Sequence, residues 1–164
     1  MNKSLRRACV YGMTLIISLC GVALAIESND SLKTALANTT SIQMKLAMAQ
    51  KRFSIMSRSL PDPERCVARE LLDTSIGFRE ITTEPLLVGQ LVNEMKTVED
   101  QNTVRSRLGV IAYRIIAIGD NDIGIVNEFL KDLTTPTMIA EATLIRDKMV
   151  ELRGLWVPFS SGHF

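Results

Sequence analysis

The chain has 164 residues, 19 of them basic and 18 acidic, with 46% hydrophobic and only 5% aromatic residues. That near-neutral balance predicts no general affinity for nucleic acid. The scarcity of aromatics beside many Leu, Ile, Met and Ala suits helices better than a β-sandwich.

Lys3, Arg6 and Arg7 precede a mostly apolar stretch, Val10 to Leu24, which closes on Ala23-Leu24-Ala25, a small-x-small cleavage site. That order of parts is a secretory signal peptide over 1–25, with cleavage expected after Ala25. The alternative is an uncleaved N-terminal membrane anchor, because the apolar run from Ala8 to Ile26 approaches the ~20 residues of a span. Gly12, Thr14, Ser18, Cys20 and Gly21 dilute the run and favour cleavage. Leu19 is too large for the residue before a lipidated Cys20. The expected location is periplasmic or secreted, with no stable membrane insertion after cleavage.

All 18 acids lie beyond residue 25, against 16 bases, so the mature chain is slightly acidic. It is long enough for one domain with a real core, expected over 26–154 and followed by a tail, 155–164. Cys9 and Cys20 fall in the signal, which leaves Cys66 without an intramolecular partner. A partly buried thiol is expected there, with a disulfide-linked dimer as the alternative.

In chain order, Ser28, Asn29 and Asp30 are competent N-caps. From there Leu32, Ala35, Thr39, Ile42, Leu46, Ala49, Phe53, Met56 and Leu60 recur at spacings of three and four. That is the 3.5-residue seam of a helix packed at a shallow angle on its neighbours. Nothing breaks it before Pro61, which gives a first helix about 45 Å long. Asp62 and Pro63 open a second helix with Val67, Leu71, Thr74, Phe78 and Ile81 on its inner stripe. Thr82-Thr83-Glu84-Pro85 repeats the stop-and-start chemistry and opens a third, with Leu87, Leu91, Met95 and Val98 inward.

Thr103 to Ile118 reads as a fourth helix, apolar on two sides and therefore expected at the centre. Its stripes are Val104, Leu108, Ile111, Ile115 and Ile118 on one side, Val110 and Ala117 on the other. Gly119-Asp120-Asn121-Asp122 reads as a loop and Ile123 to Leu133 as a short extra helix. Thr135-Pro136 starts a last helix carrying Ile139, Ala142, Ile145, Met149 and Leu152, with Gly154 as its C′ residue. The expected fold is an all-α bundle of four main helices, the first of them long, with one short extra helix and an irregular C-terminal tail. No helix of the set matches the first in length alone. The second and third could line up along it end to end.

Chemistry is harder to find. Cys66 and His163 are the only mature Cys and His, too few for a structural zinc site. The GDNDIG stretch has acidic spacing, but Gly124 and Lys131 stand where a calcium loop needs oxygen ligands. Haem attachment lacks C-x-x-C-H, no helix offers a His ligand, and no G-x-S-x-G or phosphate loop is present. No catalytic, cofactor or metal residues are assigned, and no enzyme activity is expected.

Two features remain. Lys33, Lys45, Lys51, Arg52 and Arg58 make residues 31–60 wholly basic, while residues 80–164 hold 12 acids against 8 bases. The preferred reading pairs these charges within the chain. The alternative exposes Lys45, Lys51, Arg52 and Arg58 to an anionic partner. Trp156 and Phe159 in the tail either fold back on the bundle or anchor another protein. The function expected is protein binding by a small exported helical protein, such as a periplasmic accessory, inhibitor or immunity-type protein. Its partner would be an envelope or exported protein, and no cofactor is implied. The alternative is a carrier or sensor of an apolar small molecule or lipid held between helices.

Overall fold

The computed structural model describes residues 3–92 and 97–161, with side chains from Asp30 onward except Val92 and Val98. Five α-helices account for it: α1 Lys3–Ser57, α2 Asp62–Ile81, α3 Glu84–Val92, α4 Val98–Asp132 and α5 Pro136–Trp156, followed by a 3₁₀ turn, Val157–Phe159. Every regular element among the described residues is helical, as the composition implies. Among the residues described to the side chain, no helix is long and apolar enough to cross a membrane. The signal-peptide segment 1–25 and its 8–26 apolar run lie outside them.

The inner seam of α1 is buried as its spacing predicts. Leu46, Ala49, Phe53 and Thr39 are fully enclosed, and Leu32, Ala35, Ile42 and Leu60 are nearly so. Met56 packs partly buried against this core. The helix does not begin at the predicted caps, however. Its backbone runs unbroken through Ser28, Asn29 and Asp30, since each such residue costs a helix interior under about 1 kcal/mol.

α1 packs along α5 on one side and along α2 and α3 on the other, while α4 closes the bundle opposite it against α2, α3 and α5. Three contacts fix the register between α1 and the α2–α3 pair. Gln50 Nε2 donates to Ser75 Oγ at 3.1 Å, and Gln43 Nε2 donates to Thr82 Oγ1 at 2.9 Å. Leu36 lies against Gly89, where an added Cβ would stand 2.5 Å from Leu36 Cδ1. Each step runs seven residues back along α1 and seven forward along α2–α3. The two short helices therefore lie end to end against the long one without slipping register. Pro85 explains the break between them, because it has no N–H to donate to the Ile81 carbonyl.

These contacts also correct two predicted stripes. The most buried positions of α2 are Ala68, Leu71, Ser75 and Phe78, with Thr82 just beyond its end. Leu71 and Phe78 are inward as predicted, whereas Ala68, Ser75 and Thr82 replace Val67, Thr74 and Ile81 as the most buried neighbours, because Ser75 and Thr82 answer the two glutamines of α1. In α3 the buried residues are Pro85 and Gly89, whereas Leu87 and Leu91 are exposed. Met95 and the Val98 side chain lie outside the described residues.

The predicted fourth and fifth helices are one. α4 has 35 residues, about 52 Å, and so matches the packed part of α1 alone. It starts earlier than Thr103, capped by Thr97, whose Oγ1 accepts from the Asp100 amide at 3.1 Å. Gly119 to Asp122 is helix interior rather than loop. Gly119 is buried there because a Cβ would stand 2.9 Å from Phe78 Cε2, and Asp120 is occupied by Arg153, Nε to Oδ1 2.7 Å. α4 is not surrounded: Val110 and Tyr113 face solvent, as does Ala117.

α5 presents Met138, Ala142, Ile145, Met149, Leu152 and Trp156 to the core, and the chain then folds back so that Phe159 is buried too. Its N-terminus is held by a remote carboxylate. Glu64, buried at the start of α2, accepts from the amides of Thr134 and Thr135 at 2.9 and 2.8 Å and from both their hydroxyls at 3.1 and 3.0 Å. Those donors would otherwise be unsatisfied at a helix start.

Candidate partner-binding face

The basic residues of α1 separate into two groups. Arg52 is bound to Glu141 of α5, Nη2 to Oε1 2.5 Å and Nε to Oε1 2.7 Å. Lys45, Lys51 and Arg58 are exposed and make no ion pair with a described residue. Of the five bases over residues 31–60, only Arg52 is matched by a later helix, and Lys33 meets its own neighbour Asp30 at 3.9 Å. Downstream, Glu128, Asp147 and Glu151 pair with Lys131, Arg146 and Lys148 of their own segments. Such exposed pairs are worth at most about 1 kcal/mol each. Glu80, Glu99, Asp100, Asp122 and Asp132 make no ion pair with a described residue, and none of them reaches the cations of α1.

Apolar side chains stand among the unpaired cations. Met44, Met48 and Ile55 are 59, 57 and 56% exposed on the solvent side of α1. Together with Lys51 and Arg58 they make a mixed apolar and cationic ridge that contains no acid between Ser31 and Leu60. A recess of about 320 Å³ adjoins the ridge, lined by Met44, Gln43, Thr83 and Arg79 among others. The cations are marked in the sequence by the charge run, whereas Met44, Met48 and Ile55 lie on an outer line that the period of the inner seam does not mark.

The tail residues take the folded-back alternative. Trp156 and Phe159 stack with ring centroids 5.5 Å apart at 53°, both inside the core. They help shape the bundle end, where a recess of about 680 Å³ opens between Asp30, Thr34, Asn38 and the Gly154–Phe159 segment. A third recess, about 420 Å³, lies between α3 and α4 over Val88 and Ile111, with Arg107 and Arg114 on its rim. Arg114 is engaged by Glu84 at 3.0 Å. All three are surface grooves between neighbouring helices.

The remaining reactive groups are scattered. Cys66 is free and exposed rather than partly buried, because Glu64, Ala68 and Leu71 turn inward and place it on the opposite side of α2. Asp122 is half-buried on α4, and loss of hydration pushes its carboxyl up from the usual range against a hydrogen bond from Asn121 that lowers it. Glu64 moves the other way. The Thr135 amide lowers it most, helped by the Thr134 amide and the two hydroxyls against desolvation. Among the described residues no group of three or more His, Cys, Asp or Glu is placed to hold a metal ion. His163 lies outside them. No protein-family model matches the chain, and no curated protein or solved structure matches it either.

Proposed function

We propose that the chain is a small exported helical protein that acts by binding another envelope or exported protein, with the outer face of α1 as its contact surface. The observation that carries this reading is the ridge itself. Lys45, Lys51 and Arg58 stand in water beside Met44, Met48 and Ile55, where an ordinary solvated helix face would carry mixed charges. Cations without intramolecular acids steer an anionic partner, and neighbouring apolar side chains supply the contact area that such steering lacks.

The apolar-carrier alternative has less support. A carrier encloses its ligand in an apolar cavity of about 300 Å³ or more. The recesses of comparable size here are open, and polar groups such as Asp30, Asn38 and Gln43 line them.

Affinity capture of the tagged full chain from an envelope fraction tests the proposal. A stoichiometric protein partner is expected, and it should be lost when Lys45, Lys51 and Arg58 are together reversed to Glu. Recovery of lipid with no protein partner sinks the reading.

A further inference from the structure

We infer that the outer face of α1 receives a single α-helix from an acidic partner, laid along it in heptad register. The inference deepens the protein-binding reading and rests on it. Met44, Met48, Lys51, Ile55 and Arg58 follow one another at spacings of four, three, four and three, and all five are exposed. That spacing lines the five side chains along one face of α1, opposite the buried seam, in a narrow strip. A partner helix laid along the strip meets it over its whole length, whereas a broad surface would also cover the polar positions on either side.

Chemistry on the ridge narrows the occupant. Ala37 and Ser41 continue the line toward the N-terminus, both exposed and small enough for close helix approach. The ridge from Met44 to Arg58 is about 21 Å long, room for two heptads of partner helix. The recess beside Met44, with Arg79 and Glu80 both on its wall, offers a hole of mixed charge at one flank. The positive charges on and beside the line, Lys45, Lys51 and Arg58, ask for Glu or Asp at the partner's flanking positions, as in coiled-coil pairing.

A second copy of this chain is a poor occupant. Pairing α1 with another α1 through this ridge sets Lys45, Lys51 and Arg58 of the two copies against one another, and like charges across an interface are costly. An anionic lipid surface satisfies the cations. It prefers a broad face of bulky apolar residues, however, and here the bulky ones are three in a narrow line.

The test uses the full chain and two synthetic helical peptides of about three heptads, identical at their Leu and Ile seam positions. One carries Glu at every flanking position and the other Lys. Fluorescence anisotropy should give at least about tenfold tighter binding of the Glu peptide at low salt, with the gap closing as salt screens it. Lys51→Glu with Arg58→Glu should reverse the preference. Met48→Ser should weaken both peptides, whereas Val150→Ser, at an exposed apolar position of α5, should change neither. All these sites are exposed, and circular dichroism should report an unaltered fold.

Equal affinity for the two peptides, or a preference that survives the double charge reversal, overturns the inference. So does self-association through the ridge, or binding only to vesicles containing anionic lipid. If the peptides fail while a partner is still captured from the envelope, the helix-seam inference falls and the protein-binding reading stands. Vesicle binding with no captured protein removes both.

Discussion

The two sides of this bundle are built from different materials. α4 and α5 give the core Leu108, Ile115, Val126, Met138, Ile145, Met149 and Leu152, apolar and almost wholly enclosed. α1 and α2 add Leu46, Phe53, Leu71 and Phe78 to the same core but also bury Gln50, Ser75 and Thr39, with Thr82 just beyond the end of α2. Two glutamines there reach across to hydroxyls. Apolar surface contributes stability in proportion to area and is nearly indifferent to register, whereas a hydrogen bond is satisfied in one alignment only. The shared apolar core holds the bundle together, and the polar contacts set which residue of α1 faces which of α2–α3.

That division is broken or sharpened by substitution on each side. Trp156→Ala, at a fully enclosed apolar position, should cost about 3–5 kcal/mol in urea denaturation. A loss below about 1 kcal/mol would mean that the apolar side is not the main source of stability. The Glu64 clamp joins the two sides at the end of the bundle, and its effect shows as pH dependence. Its carboxyl is lowered from 4.5 in the folded chain. The stabilisation it gives is thus fully present above the unfolded value and is lost as pH falls through the folded one. Glu64→Gln should flatten stability against pH over that acidic window and lower it at neutral pH, as followed by thermal melts. The smallest effect has the opposite sign. Thr39 is fully buried on α1, and its Oγ1 has no hydrogen-bond partner among the described residues. Thr39→Val should leave stability unchanged or raise it by about 1 kcal/mol. A clear destabilisation would show that the hydroxyl is satisfied and belongs with the register-setting groups.

The same contrast explains what could be read in advance. The α1 seam was legible over nine positions because a 3.5-residue period over that length has one helical solution. On α2 the stripe was legible at Leu71 and Phe78 but missed Ala68, Ser75 and Thr82, because Ser75 and Thr82 are inward for their hydroxyls rather than for apolar surface. Gly119-Asp120-Asn121-Asp122 has the composition of a turn. Its reasons for being helix lie elsewhere in the chain, in the Phe78 ring that needs Gly119 and in Arg153 that takes Asp120. The cations of the candidate face were legible as a charge run, but their pairing was not. Arg52 meets Glu141 only because α1 and α5 pack in one particular antiparallel register, and local sequence does not encode that register.

The heptad step shared by α1 and α2–α3 has a consequence for how this chain can change length. One residue inserted between Leu36 and Gln50 would rotate everything beyond it by about 100°. Either the glutamines would leave their hydroxyls or the Leu36 side chain would leave the gap over Gly89. The break at Pro85 gives no relief, because the register passes through it unchanged. Growth or shortening is therefore tolerated in whole layers, seven residues at a time and in every helix that crosses the layer at once. Small insertions and deletions fit this register only at the bundle ends.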